Sequence, residues 1–407
     1  MEKTSYDIVV VGAGASGLMC ALLCARKGRR VLLVEKESQP GRKILVSGNG
    51  RCNLTNAHVS AADYRGDISL AAAVLKNFSF QQCLDLFHSL GVLTREEENG
   101  RVFPLSGKST AVAEALRLAC LEAGVELRTD CTVTKIHKKN NFILTLQDGS
   151  TVSGKKCVLA CGSCAYPQAG GTELGYQLAR SLGHTIIRVS PSLCGLCVKE
   201  KAVARLQGIR AQVKLTAFQN TSHTLNNCGE VLFTNYGLSG PVSLNISGPV
   251  GRALANGPVL VEMDILPEIT AKLDFLRARI KQFPQRNAKS FFAGLLHENI
   301  ANLLIDFTGL RKNIPVSAWT ENTLQNVARA LSAWPLTVTT LRPWTEAMVA
   351  TGGVNCAEIN YNSLESVCCP GLYILGELLN VDGRSGGFNL HFAWGCAFTA
   401  AAGLTEE

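Results

Sequence analysis

The chain has 407 residues, 46% hydrophobic and 18% charged, with a formal net charge of +8. That length and balance fit two or three folded domains with a large core and exclude a disordered chain. No apolar run reaches the ~18 residues a membrane helix needs, and residues 1–4 are too short and polar for a secretory signal, so a cytoplasmic protein without a membrane span is expected.

The first predicted element is a β-branched strand at residues 5–11. It runs into Gly12-Ala13-Gly14-Ala15-Ser16-Gly17, a G-x-G-x-x-G turn. A helix over 16–27 and a second strand over 30–35 follow, with Glu35 at its end. Each part has a physical task. Gly12 permits the tight turn, Gly14 lets backbone approach a pyrophosphate, and Gly17 lets the helix pack close on the strand. The helix N-terminus offers amides and a positive dipole end to phosphates. Glu35 can accept hydrogen bonds from ribose hydroxyls. A strand, glycine turn, helix, strand and acid in about 30 residues make the complete βαβ dinucleotide pattern. An unrelated tight turn would explain the glycines but not Glu35.

A long Gly-rich loop spans 41–56. Helical patterns follow at 69–76, 80–90 and 110–123, then strands at 126–135 and 142–147, a turn at 148–150, and a strand at 156–160. A helix over 174–182 ends at Gly183. From about residue 190 the texture changes to short alternating strands, which read as an antiparallel β domain. Residues 274–282, 289–304 and 321–333 read as helices, and strand texture returns at 336–341. The expected organisation is a dinucleotide domain over 1–190 and 345–407, an inserted antiparallel β domain over 191–265 and 331–344, and a helical region over 266–330.

The last strand, 371–376, leads to Glu377, Asp382, a turn at Gly386 and Gly387, and a helix over 388–402. This sequence suits the middle of a flavin cofactor. Glu377 or Asp382 can bind ribityl hydroxyls, Gly386 and Gly387 let backbone approach the ring edge, and the final helix N-terminus can stabilise charge on the reduced ring.

Sixteen cysteines are present. Two C-x-x-C spacings, Cys161/Cys164 and Cys194/Cys197, admit a zinc site, a redox dithiol or plain packing. Packing is the expectation, with no metal, because most of the cysteines sit in apolar runs. The basic residues are scattered and aromatics are only 6%, which points to a small-molecule substrate and away from nucleic acid.

Five blocks carry a family resemblance: 12–17, 41–56, 229–241, 351–354 and 371–396. Over essentially its whole length the chain resembles the BaiN-like (YhiN-like) bacterial NAD(P)/FAD-dependent flavoproteins. The resemblance implies a glutathione-reductase-type FAD-binding Rossmann domain (α/β) with an inserted antiparallel β-barrel and a small helical subdomain. It places Gly12, Ala13, Gly14, Ala15 and Ser16 on the pyrophosphate and Glu35 on the adenosine ribose. Lys36, Arg42 and Lys43 should lie near the phosphates or flavin, and Arg51, Cys52 and Asn53 along the cofactor. Val133 should meet adenine through its backbone. Gly162 should lie by the flavin, with Gly376, Glu377, Asp382, Gly387, Phe388 and Asn389 holding ribityl and ring. Asn380 and the 160–164 turn depart from the family pattern.

The activity implied is NAD(P)H-driven reduction of a C=C bond conjugated to a carbonyl, with a 3-oxo-Δ4/Δ6 bile acid or steroid-like enone as substrate. NAD(P)H would dock transiently, since no second dinucleotide motif with a downstream acid occurs. Candidate proton donors are His391, Tyr166 and Tyr236, with His391 expected to face the flavin. The alternatives are an amine or aminoketone oxidase using oxygen, and a flavin-bearing RNA-binding or regulatory protein.

Overall fold

The computed structural model describes residues 5–220 and 223–405. The chain forms two compact units, Met1–Pro191 with Trp344–Glu407, and Ser192–Pro343.

The first unit is built on a seven-stranded sheet. Strand β1 (Ser5–Val11) is flanked in parallel by β2 (Val31–Val34) and by the long strand Thr151–Leu159. The long strand changes partner along its length. Residues 151–154 pair antiparallel with the strand Phe142–Leu146, and residues 157–159 pair parallel with Leu372–Ile374. Glu126–Arg128 also pairs parallel with β2, so parallel pairing brings the C-terminal ends of five strands to one edge, the place where such sheets bind ligands. Backbone bonds knit that edge: Gly12 N–H donates to Val34 O (2.8 Å), Ala160 N–H to Val11 O (2.9 Å) and Leu375 N–H to Leu159 O (3.0 Å). Helix α1 (Ala15–Arg26) and the final helix Phe388–Thr405 pack against one another. The final helix is apolar around most of its circumference because it runs through the core.

The second unit is a closed six-stranded antiparallel barrel, in the order Leu196–Val198, Gly237–Ser239, His223–Phe233, Arg210–Asn220, Val259–Asp264, Trp334–Leu341 and back to the first. The helix Pro241–Ala253 buries Val242, Ile246 and Val250 in the core of this unit. That helix lies where sequence texture indicated strands; Gly240-Pro241, with proline at the first helical position, was the available signal. The helices between 266 and 330 share one hydrophobic core with the barrel: Leu276, Phe291, Leu304 and Val327 belong to the same cluster as Val261, Met263 and Leu336. No helix among the described residues is long and apolar enough to cross a membrane.

Candidate dinucleotide and flavin site

The glycine turn stands at the C-terminal edge of the sheet. Gly12 has φ +100°, and a Cβ there would stand 2.6 Å from Ala160 O. A Cβ on Gly17 would stand 1.8 Å from Gly12 O, so only glycine lets α1 pack on the turn. A Cβ on Gly14 would meet nothing within 4 Å. Backbone is therefore open to a ligand where a pyrophosphate needs it. Helix α1 has no side-chain cap and no acid in its first turn, leaving its leading amides to an anion.

Glu35 is buried and oriented by two backbone donors, Ala13 N–H to Oε2 (2.7 Å) and Glu37 N–H to Oε1 (2.9 Å). Each oxygen keeps a further lone pair that a hydroxyl can use. Glu35 O accepts from Cys131 N–H (2.9 Å), which brings the Val133 segment beside it.

A second cluster forms around Glu377, just past the strand Leu372–Ile374. Its Oε2 pairs with Lys43 Nζ (2.5 Å), while its Oε1 accepts from Ser163 Oγ (2.6 Å) and Ala350 N–H (2.9 Å). Gly376 has φ +65°, and a Cβ there would stand 2.8 Å from Ser16 Oγ. Gly376 thus joins this cluster to the Gly12–Gly17 turn. Gly162 offers open space. Asp382 is buried and accepts from Thr351 Oγ1 (2.7 Å).

The 47–56 loop completes the arrangement. Gly48, Asn49, Gly50 and Cys52 all have left-handed φ, which the two glycines adopt freely and which strains Asn49 and Cys52. Asn53 Oδ1 is buried without a hydrogen-bond partner among the described residues. Such an acceptor fits a ligand N–H. A Cβ on Gly387 would stand 2.5 Å from Thr55 O and 2.8 Å from Asn53 Oδ1, so the turn before the final helix lies directly on this loop. The open Gly14, the oriented Glu35 and the orphaned Asn53 acceptor together fit an FAD-type cofactor.

Several expected residues play other parts. His391 is fully buried, with both ring nitrogens engaged by protein atoms. Its Nδ1 meets Thr55 Oγ1 (2.8 Å) and its Nε2 meets Phe78 O (3.2 Å). Phe78 O can only accept, so Nε2 carries the proton and Nδ1 accepts from Thr55. His391 therefore joins the 52–56 segment to the core, as does Trp394 Nε1–H, which donates to Leu54 O (3.1 Å). Its role as proton donor is corrected on this ground. Lys36 and Arg42 both pair with Glu37, and Arg42 also reaches Gln168 O (2.8 Å). Arg51 is held bidentate by Glu97 and lies over the Phe103 ring (4.1 Å). Asn389 spends its amide on Gly383 N–H and O (both 2.8 Å), and the Phe388 ring packs edge-on to Tyr64. Burial pushes the Cys52 thiol up to about 12.

Tyr166 stands in the loop after the central strand, at φ +57°, its N–H donating to Trp344 O (2.9 Å). Tyr236 belongs to the barrel unit, under the Arg342 guanidinium (4.3 Å). All sixteen cysteines are free. Burial holds Cys161 at about 12 and Cys164 at about 11, so neither is a thiolate near neutrality.

Burial lowers the His391 pKa to about 4. A folded pKa below the unfolded value of about 6.5 leaves stability complete above pH ~6.5 and removes it as pH falls toward 4, by up to about 3 kcal/mol. Urea unfolding across that range is expected to show the loss, and His391→Gln to flatten it. A variant with the parental pH slope would refute the assignment.

The family model described as HI0933-like protein Rossmann domain matches residues 6–403. The 3-dehydro-bile acid delta(4,6)-reductase of Clostridium scindens is 32% identical over 406 residues, covering 98% of this chain and 99% of that protein. The ribosomal RNA dihydrouridine synthase of Escherichia coli is 29% identical over 409 residues, covering 99% and 98%. Among solved structures, 3-ketosteroid delta1-dehydrogenase from Sterolibacterium denitrificans aligns over 98% of this chain and 99% of its own, with TM-score 0.53 and 14% identity, a likeness of fold alone. The exclusion of nucleic acid as a partner loses its support here, because one full-length relative is named for modifying RNA.

Proposed function

The chain belongs to the HI0933-like family of flavin-dependent oxidoreductases, and from that premise we propose that it binds FAD and reduces a C=C bond conjugated to a carbonyl, with NAD(P)H as transient donor. The observation that carries the reading is the pair of full-length relatives. A 3-oxo-Δ4,6 steroid and the uracil ring of uridine share one electronic unit, an alkene whose β-carbon is made electrophilic by a carbonyl. Bound flavin, once reduced by NAD(P)H, would supply the hydride for that carbon.

The residues of this chain bind and orient. The Gly12–Gly17 turn and the α1 amides take the pyrophosphate, Glu35 the ribose, and Glu377 with Asp382 the ribityl chain. Lys43, fixed by Glu377, would offer its positive charge to the anionic reduced ring. Tyr166, in the same unit as the glycine turn, remains the candidate proton donor for the α-carbon.

The substrate reading favoured is a 3-oxo-Δ4/Δ6 bile acid or related enone, the class named for the relative at 32% identity. The second reading is a uridine in RNA. It is favoured by the other relative and by the +8 charge, with Lys199, Lys201, Arg205 and Arg210 exposed on the barrel unit.

The test is an anaerobic titration of the yellow protein. Bleaching by NADH or NADPH, then recovery of colour with a Δ4-3-oxo steroid, is the expected result. Recovery with uridine-containing RNA alone would move the substrate to RNA. A flavin that stays oxidised with both nucleotides and bleaches with an amine would overturn the reductase reading in favour of an oxidase.

A further inference from the structure

We propose that His184, Glu358 and Cys368 form a zinc site in the dinucleotide-binding unit, built from residues that the flavin site does not use. They come from three separate places in the chain. His184 lies in the turn after the helix Leu174–Ser181, Glu358 ends the short turn Cys356–Glu358, and Cys368 precedes the strand Leu372–Ile374. One ligand atom from each lies within 4.8 Å of the others. Nitrogen, oxygen and sulfur together make a donor set that zinc accepts.

Two of the three donors are already aimed. His184 is buried, with Nδ1 3.0 Å from Glu358 Oε2 and Nε2 2.8 Å from Ser366 Oγ. With a metal on Nδ1, the ring proton sits on Nε2 and donates to Ser366 Oγ, the outer support that metal-bound histidines ordinarily have. Ser366 is itself fixed by Cys369 N–H (2.8 Å). Glu358 is oriented by Thr185 N–H, which donates to Oε2 (2.9 Å). The third donor, Cys368, is exposed. Metal entry is therefore open from solvent, and a fourth position is left for water. Binding displaces the thiol proton to solvent, with no change of oxidation state.

The site is tested on the FAD-loaded protein, stripped with chelator and dialysed against Zn²⁺ alone. One zinc per chain is expected, with an X-ray absorption spectrum showing one sulfur at about 2.3 Å and nitrogen or oxygen at about 2.0–2.2 Å. Cys368→Ser is expected to lose the sulfur and to weaken zinc binding more than about tenfold. Cys228→Ser, at the other exposed cysteine, is expected to bind as the parent does. Flavin content and melting temperature of the metal-free variants check that both fold. Absence of bound zinc, a spectrum without sulfur, or equal affinity in Cys368→Ser would each overturn the proposal. This inference does not depend on the substrate reading, because none of its measurements uses turnover.

Discussion

Gly17→Ala is expected to give a protein that retains no flavin and melts well below the parent. The added Cβ would stand 1.8 Å from Gly12 O, and that oxygen belongs to backbone that cannot rotate aside. Helix α1 must move off the sheet or the turn must open. Overpacking typically costs about 1–3 kcal/mol, and a clash with backbone belongs at the upper end. The turn is also the proposed pyrophosphate cradle, so the change is expected to remove ligand affinity along with stability. Gly14→Ala is the informative companion. Its Cβ meets no protein atom, so the fold should keep its parental melting temperature while FAD binding weakens. Flavin absorbance per chain and a thermal melt of the FAD-free protein read the two effects separately. A Gly14→Ala protein as yellow as the parent would show that the cofactor backbone does not pass there.

The second large effect is expected at Glu377. Glu377→Ala removes the partner of Lys43 Nζ and strands Ser163 Oγ and Ala350 N–H together. Breaking a fully buried pair costs about 3–5 kcal/mol; this pair is partly solvated, so about 2–3 kcal/mol is expected. Flavin occupancy should fall with it. Glu377→Gln should be milder, since an amide oxygen can still accept from Ser163 or Ala350 while the charge on Lys43 goes unbalanced. Urea unfolding with parallel measurement of bound flavin decides the matter. Parental values for both in Glu377→Ala would exclude Glu377 as an organiser of the site.

What could be read in the sequence follows from how local each feature is. The dinucleotide turn was legible because strand, glycines, helix and Glu35 lie within a few tens of residues, and each glycine has its own steric reason. An antiparallel β domain was legible from alternating strands and turns, and its closure into a barrel was what the family resemblance implied. The pairing of Lys43 with Glu377 was not, because it joins residues 334 positions apart and neither carries a local pattern. His391 misled for a different reason. The final helix is apolar on nearly every side, so position along it does not reveal which side chains meet the ligand and which meet the core. Thr55 and Phe78, which occupy both ring nitrogens, are over 300 residues away in sequence. The Cys161/Cys164 spacing likewise drew attention to cysteines whose thiols burial holds protonated, while Cys368, placed beside a histidine and a carboxylate, has no motif around it.

The site's edge is made by Gly12, Ala160 and Gly376, and its clamp by the 52–56 loop against residues 387–394, with the whole barrel unit encoded between. During synthesis, therefore, the barrel unit is complete and free to fold on the ribosome while the first unit still lacks its strand Leu372–Ile374 and its final helix. Flavin capture is consequently expected to wait for the strand Leu372–Ile374 and the helix after it, not for emergence of the glycine turn alone. A nascent chain stalled before residue 372 would hold a finished barrel beside a half-built, colourless nucleotide fold.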